Sequence, residues 1–162
     1  MLTSFLVALS TLTAAAPKGW DDLFPELGNF GREVGPPKVA KGEKPTVYSQ
    51  TATYTWMGGR FEVLTVTLAR DPAFKEKYSA AAMKKEKAEK LDVNKKSAYL
   101  WDRMKADDLE AVNRRLVVVL ADDKVLVVEQ RGAGLELPDV AKKLDFDKVI
   151  KALESPPPAE QK

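Results

Sequence analysis

The sequence contains no cysteine and no histidine. Their absence excludes a thiol nucleophile, a disulfide, a zinc-finger-type site, an imidazole general base and a Ser-His-Asp triad within this chain. Chemistry by carboxylate, lysine or tyrosine is what remains. A surplus of charge of one sign is also missing: 26 Lys and Arg against 24 Asp and Glu leave a net charge of +2, which predicts no general attraction to nucleic acid. The sequence has no internal repeat. Its 162 residues, 44% hydrophobic and 31% charged, are enough for one domain with a real core and too few for two.

Long hydrophobic runs are scarce as well. The one uncharged apolar stretch is Leu2 to Ala16, LTSFLVALSTLTAAA. It is shorter than the ~20 residues of a membrane-spanning helix, and it ends in small residues in the manner of a secretory signal. Cleavage after Ala15 or Ala16 is expected, so residues 1–16 are read as a signal peptide and the protein as extracytoplasmic, either periplasmic or secreted. No Lys or Arg precedes the stretch, and a start codon upstream of Met1 would account for that. Without a cysteine to lipidate, the segment is not a lipoprotein signal.

Residues 17–46 hold five prolines and five glycines, a density that breaks regular elements and marks an N-terminal arm. Within it Trp20, Leu23 and Phe24 fall on one face of a helical turn, and Phe30 to Val34 reads as a short edge strand. These aromatics are expected to plug the core rather than grip a ligand. Val47 to Met57 and Arg60 to Arg70 then form a hairpin about Gly58-Gly59, a dipeptide suited to a two-residue turn. That turn pairs Trp56 with Phe61, Tyr54 with Val63, Ala52 with Thr65 and Gln50 with Thr67, with the aromatic face inward.

Asp71 and Pro72 carry helix-start chemistry, and a helix is expected to about Lys87 with Phe74, Tyr78, Ala81 and Ala82 as its apolar stripe. Between Lys75 and Lys96 stand eight lysines and four acids. The segment reads first as a solvated face, and alternatively as a weak contact for anionic lipid or wall polymers. Leu91 to Val93 and Ala98 to Trp101 suggest a hairpin about Asn94-Lys95-Lys96, because Asn tolerates a left-handed turn position. Ala106 to Asn113 reads as a short helix.

The strongest element is Arg115 to Arg131, RLVVVLADDKVLVVEQR. Two β-branched runs flank an Asp122-Asp123 turn, which places Leu120 opposite Val125, Val118 opposite Val127 and Leu116 opposite Glu129. Both faces are apolar, so the hairpin should be central and covered above and below. The helix Phe146 to Leu153, capped by Asp145, is one cover; the Phe74 and Tyr78 helix or the N-terminal aromatics are the other. Residues 155–162, SPPPAEQK, read as a solvated tail.

The elements in order predict an α+β fold: an antiparallel sheet of hairpins at about 47–70 and 115–131, spanning a domain at 47–154 and covered by helices, one of them C-terminal. That order is similar to the small sandwiches of the PsbP-like group, a likeness of element order that no motif carries. No catalytic, cofactor-binding or metal-ligating residue is assigned. The convergent polar groups are Arg114, Glu129 and Arg131, expected on one face at one end of the central hairpin and read first as a structural ion-pair group. Arg131-Gly132-Ala133-Gly134 lacks the Gly-Lys-Ser/Thr of a phosphate loop, and Asp122-Asp123 supplies too few oxygens for calcium. The expected function is a non-enzymatic binding or interaction module of the cell envelope, holding a protein or a small ligand. The alternative is a hydrolase of envelope material using Glu129, Asp102 or Glu62, which requires two carboxyl groups roughly 5 to 9.5 Å apart in a cleft.

Overall fold

A computed structural model describes residues 19–40, 46–56, 58, 63–85, 87–103, 113–132 and 135–156. The expected signal segment, the 106–112 stretch of the expected Ala106–Asn113 helix and most of the expected tail lie outside these residues. Eight strands run as β1 (Phe30–Val34), β2 (Lys38–Ala40), β3 (Val47–Trp56), β4 (Val63–Arg70), β5 (Glu89–Val93), β6 (Lys96–Arg103), β7 (Asn113–Ala121) and β8 (Lys124–Arg131). Short helices α1 (Phe74–Lys77) and α2 (Ala80–Lys85) lie between β4 and β5, and α3 (Leu137–Lys142) and α4 (Phe146–Ala152) follow β8.

The strands form one antiparallel sheet in the order β1-β3-β4-β8-β7-β6-β5, with β2 also pairing β3. The α+β reading therefore holds, with the 115–131 hairpin in the interior of the sheet. Because β4 lies beside β8 while β5 is at the far edge, the chain from β4 must cross β8, β7 and β6. It makes that crossing through α1 and α2. Their side chains Phe74 and Met83 pack with Ala69, Tyr99, Trp101, Val117 and Val125, forming a small core on this crossover face. The larger core occupies the opposite face. There Leu64, Leu68, Leu116, Leu126 and Val128 meet Val140, Phe146, Val149 and Leu153 of the C-terminal helices together with Trp20, Phe24 and Phe30. The C-terminal helix and the N-terminal aromatics thus share one face, and among the described residues the Phe74 and Tyr78 segment supplies the other cover.

Local chemistry explains most elements. Asp145 caps α4 by accepting a hydrogen bond from Lys148 N, and Asn94 and Lys95 adopt φ of 48° and 64° in the tight β5–β6 turn. The expected edge strand Phe30–Val34 is β1. The single helix expected from Pro72 to about Lys87 is instead two: Ser79 Oγ accepts from Ala82 N at 3.2 Å, starting α2 afresh. The lysines of the 75–96 stretch are therefore distributed over two helices, two turns and two strands rather than one amphipathic helix.

Two registers differ by one residue from expectation. Tyr54 pairs with Leu64, Ala52 with Val66 and Gln50 with Leu68, not with Val63, Thr65 and Thr67. This alignment gathers Tyr54, Ala52, Leu64, Val66 and Leu68 on the buried face and Thr51, Thr53, Thr55, Thr65 and Thr67 on the other. Burial of one face, not the Gly-Gly dipeptide, sets the register. In the central hairpin the Asp122-Asp123 turn closes on Ala121 and Lys124 as expected, but a bulge between Val119 and Ala121 shifts the remainder, so Leu116 meets Val128. A hairpin apolar on both faces specifies its own register weakly. Here β8 also pairs with β4, setting Leu126 against Leu68 and Val128 against Val66.

The arm before β3 is stitched to the sheet by side chains. Gln50, 1% exposed, accepts from Trp20 N at 2.5 Å and donates to Asp21 Oδ1 and Gly35 O at 2.6 and 2.9 Å. Tyr54 donates its hydroxyl to Pro25 O at 2.8 Å. Burial is the largest influence on that hydroxyl, with Arg32 pulling the other way and Glu26 adding to it, and its pKa rises from 10.0 to about 12. The folded value lies above the unfolded one, so the contribution is complete below pH 10 and is lost as pH climbs towards 12. Urea unfolding across this window should show a stability loss on the order of 2–3 kcal/mol that Tyr54→Phe flattens. An unchanged alkaline slope in the variant would assign the loss to other groups.

Candidate functional site

The expected polar cluster does not assemble as expected. The one-residue shift below the bulge puts Arg115, not Leu116, opposite Glu129. Arg115 Nε and Nη2 lie 2.7 and 2.5 Å from Glu129 Oε1 on the crossover face. Both side chains are about half exposed, at 49% and 45%, so this is a surface ion pair beside the threonine rows. Arg131 is exposed on the same face at the end of β8, in register with Asn113 and Val63. Arg114 projects to the opposite face. It donates to Leu135 O at 3.3 Å and to Glu136 Oε2 at 3.2 Å, fastening β7 to the chain entering α3. Its neighbour Gln130 is buried and, with its amide oriented to satisfy both partners, bonds Leu135 N and O at 3.1 Å each. Of the three carboxylates considered for hydrolysis, Glu129 is this paired residue; Glu62 and the Asp102 side chain lie outside the described residues.

A cleft forms elsewhere, where the crossover leaves the sheet partly uncovered near the β7–β8 turn. It has a volume of about 290 Å³. Its floor is Ser97 and Tyr99 of β6 with Val119 of β7; its wall is Phe74, Tyr78 and Ser79 of the crossover, and Asp122 stands at the turn. The sequence places these groups by simple means. Alternation on β6 turns Ser97, Tyr99 and Trp101 to one face, with Tyr99 in register with Val117 and Trp101 with Arg115. The break at Ser79 ends α1 and lets Tyr78 turn down. Its ring lies 4.3 Å from Phe74, tilted by 34°, and 6.4 Å from Trp101 in an edge-on arrangement at 74°. Tyr99 and Phe74 are buried, whereas Tyr78 is half-buried and Ser79 and Asp122 are exposed. The result is an aromatic recess with hydroxyls and one carboxylate at its margin.

The turn that carries Asp122 is held firmly. Its neighbour Asp123 accepts from Arg70 Nε at 2.6 Å and pairs with Lys124 at 3.2 Å, while its carbonyl accepts from Asp71 N at 2.7 Å. Burial pushes the Asp123 carboxyl up, but the bonds to Arg70 and Lys124 outweigh it and the pKa falls. Arg70 also donates to Glu154 O at 3.1 Å, so the end of β4, the β7–β8 turn, the start of α1 and the end of α4 share one network.

Sequence reasoning missed this cleft. Phe74 and Tyr78 were expected on one stripe of a continuous helix, which would have buried both alike; Ser79, a favoured N-cap residue, was the available signal for the break. Among the described residues no group of three or more acidic side chains is placed to hold a metal ion, and no helix is long and apolar enough to cross a membrane. Comparison with protein-family models, curated proteins and solved structures found no match.

Proposed function

We propose that this protein is a non-enzymatic binding module of the cell envelope, and that the cleft under the α1–α2 crossover is where it holds a small ligand. The observation that carries this reading is the recess itself: three aromatic rings, two serines and a carboxylate converge on one concave volume backed by a rigid sheet, the composition of a small-ligand site. Absence of cysteine and histidine and the pairing of Glu129 with Arg115 favour binding over catalysis. Among the described residues the cleft contributes one carboxylate, Asp122, where glycoside hydrolysis needs two.

A mixture of small amphipathic fragments titrated into the isotope-labelled protein tests the reading. Amide shifts should concentrate at Tyr78, Ser79, Ser97, Tyr99 and Val119; shifts confined to the Arg115–Glu129 face, or none anywhere, would remove the cleft as the site. The envelope location rests on the Leu2–Ala16 stretch. The mass of the protein recovered outside the cytoplasm should correspond to a start at Ala16 or Pro17. Recovery solely as intact chain in the cytoplasm would overturn export.

A further inference from the structure

The sheet is open, and its two edges differ. On one side the edge consists of two short strands, β1 and β2, that share β3. Arg32 of β1 is engaged there, donating to Phe24 O and pairing with Glu26 at 3.2 Å. On the other side β5 ends the strand order and, among the described residues, pairs with β6 alone. Glu89, Lys90 and Asp92 are exposed along it, Leu91 is half-buried against the larger core, and Val93 is buried. Among the described residues neither Lys90 nor Asp92 has an ion-pair partner.

We propose that β5 pairs antiparallel with β5 of a second copy of this chain, centred on Leu91, so that the two sheets join edge to edge. Turn geometry fixes which main-chain groups are on offer. The two-residue turn at Asn94 and Lys95, with φ of 48° and 64°, closes on a hydrogen-bonded pair, Val93 with Lys96, and the bonding then alternates along β5 and β6. Val93, Leu91 and Glu89 therefore direct their N–H and C=O groups to β6. Lys90 and Asp92 direct theirs outward, past the edge.

Charge on an edge strand ordinarily deters partners; the order of signs on β5 deters the neighbouring registers and favours one. The registers that bring outward groups together centre on Lys90, Leu91 or Asp92. The first sets lysine against lysine, and the last sets aspartate against aspartate. Centring on Leu91 sets each Lys90 against the partner's Asp92 in a hydrogen-bonded pair, with both side chains on the crossover face, where Tyr99 lies in register with Lys90. On the opposite face Leu91 meets the partner's Leu91 as a close, non-hydrogen-bonded pair, which extends the apolar layer of the larger core. A contact one short strand long buries little surface, so the dimer is weak, with a dissociation constant of roughly 10 μM to 1 mM.

Sedimentation equilibrium of the 162-residue chain and of charge variants reads the register directly. Lys90→Asp and Asp92→Lys should each dimerise about tenfold more weakly than the native chain, because each sets like charges opposite one another at both symmetry-related pairs. An equimolar mixture of the two should recover to within about threefold of the native affinity, since the acidic β5 of one then faces the basic β5 of the other. The double exchange in a single chain, Lys90→Asp with Asp92→Lys, should recover likewise, and it keeps the test valid if either single variant perturbs the fold. Hydrogen exchange at the amides of Lys90 and Asp92 should slow as the native chain is concentrated from about 10 μM to about 1 mM, whereas that of Leu91, already bonded to β6, should change less. A native chain that stays monomeric at about 1 mM would overturn the pairing. So would association that ignores both substitutions, weakened variants that neither mixing nor the double exchange rescues, or protection that arises at β1 instead.

Discussion

Replacing Leu126 with alanine is expected to lower the unfolding free energy by about 2–5 kcal/mol, the largest effect of any single truncation considered for this protein. Leu126 lies on β8, with β4 on one side and β7 on the other, in register with Leu68 and Val118. It is fully buried, at 0% exposure, in the larger core. Three strands and the helices above them leave the site little freedom to collapse, so the lost methyl groups leave a cavity as well as a transfer deficit. Val127, the next residue, faces the crossover and is only half-buried; Val127→Ala should cost about 1–2 kcal/mol by the same reasoning. Urea unfolding of the two variants compares the faces directly. A smaller loss for Leu126→Ala than for Val127→Ala would mean that the register assigned to β8 is wrong.

The second large effect concerns a polar residue. Gln50→Ala should cost about 2–4 kcal/mol, because it leaves Trp20 N and Gly35 O without their partner and opens space in a closed region. The loss should be local before it is global. Trp20 and Phe24 are held over the core through the segment that Gln50 clamps, so hydrogen exchange at Trp20 and tryptic cleavage at Arg32 should accelerate at denaturant concentrations where β7 and β8 remain protected. Gln50→Glu is expected to be at least as damaging, since it sets a buried carboxylate where the amide nitrogen stood 2.6 Å from Asp21 Oδ1. A near-neutral Gln50→Ala would show that apolar packing of Trp20 and Phe24 alone retains the arm.

The arm illustrates how far the sequence could be read. Its proline and glycine content correctly marks short elements, and Trp20, Phe24 and Phe30 are core plugs, at 6%, 2% and 8% exposure. What the spacing could not show is the role of Gln50. It falls on the inward phase of a strand whose alternation is otherwise Thr and apolar, and a glutamine there becomes intelligible only once the backbone of residues 20 and 35 is known to pass beside it. The register of β3 and β4, by contrast, was legible and was misread. Leu64, Val66 and Leu68 alternate with Val63, Thr65 and Thr67, and aligning their apolar phase with Ala52 and Tyr54 gives the observed pairing; the Gly58-Gly59 pair drew the alignment one residue away.

The candidate site was less legible than the fold. Arg114, Glu129 and Arg131 were grouped by counting back from the Asp122-Asp123 turn, and one extra residue in the bulge reassigns every partner below it. A bulge has no reliable mark in a strand apolar on both faces, because either phase buries comparable surface. The cleft residues are scattered from 74 to 122 and share no spacing at all. Only the path of the β4–β5 crossover brings them together.

Local pattern by itself determined the element types: the hairpins, the Asn94 turn, the Asp145-capped helix and the two-faced central pair follow from alternation, turn residues and caps acting over a few positions. The exclusion of thiol and imidazole chemistry also needed nothing more than composition. Tertiary structure decided the strand order, the face each cover occupies, the register of β8 and the aromatic recess beneath the crossover. Those depend on contacts between segments tens of residues apart, where the deciding quantity is the surface buried jointly by several elements, which no single stretch of the chain carries.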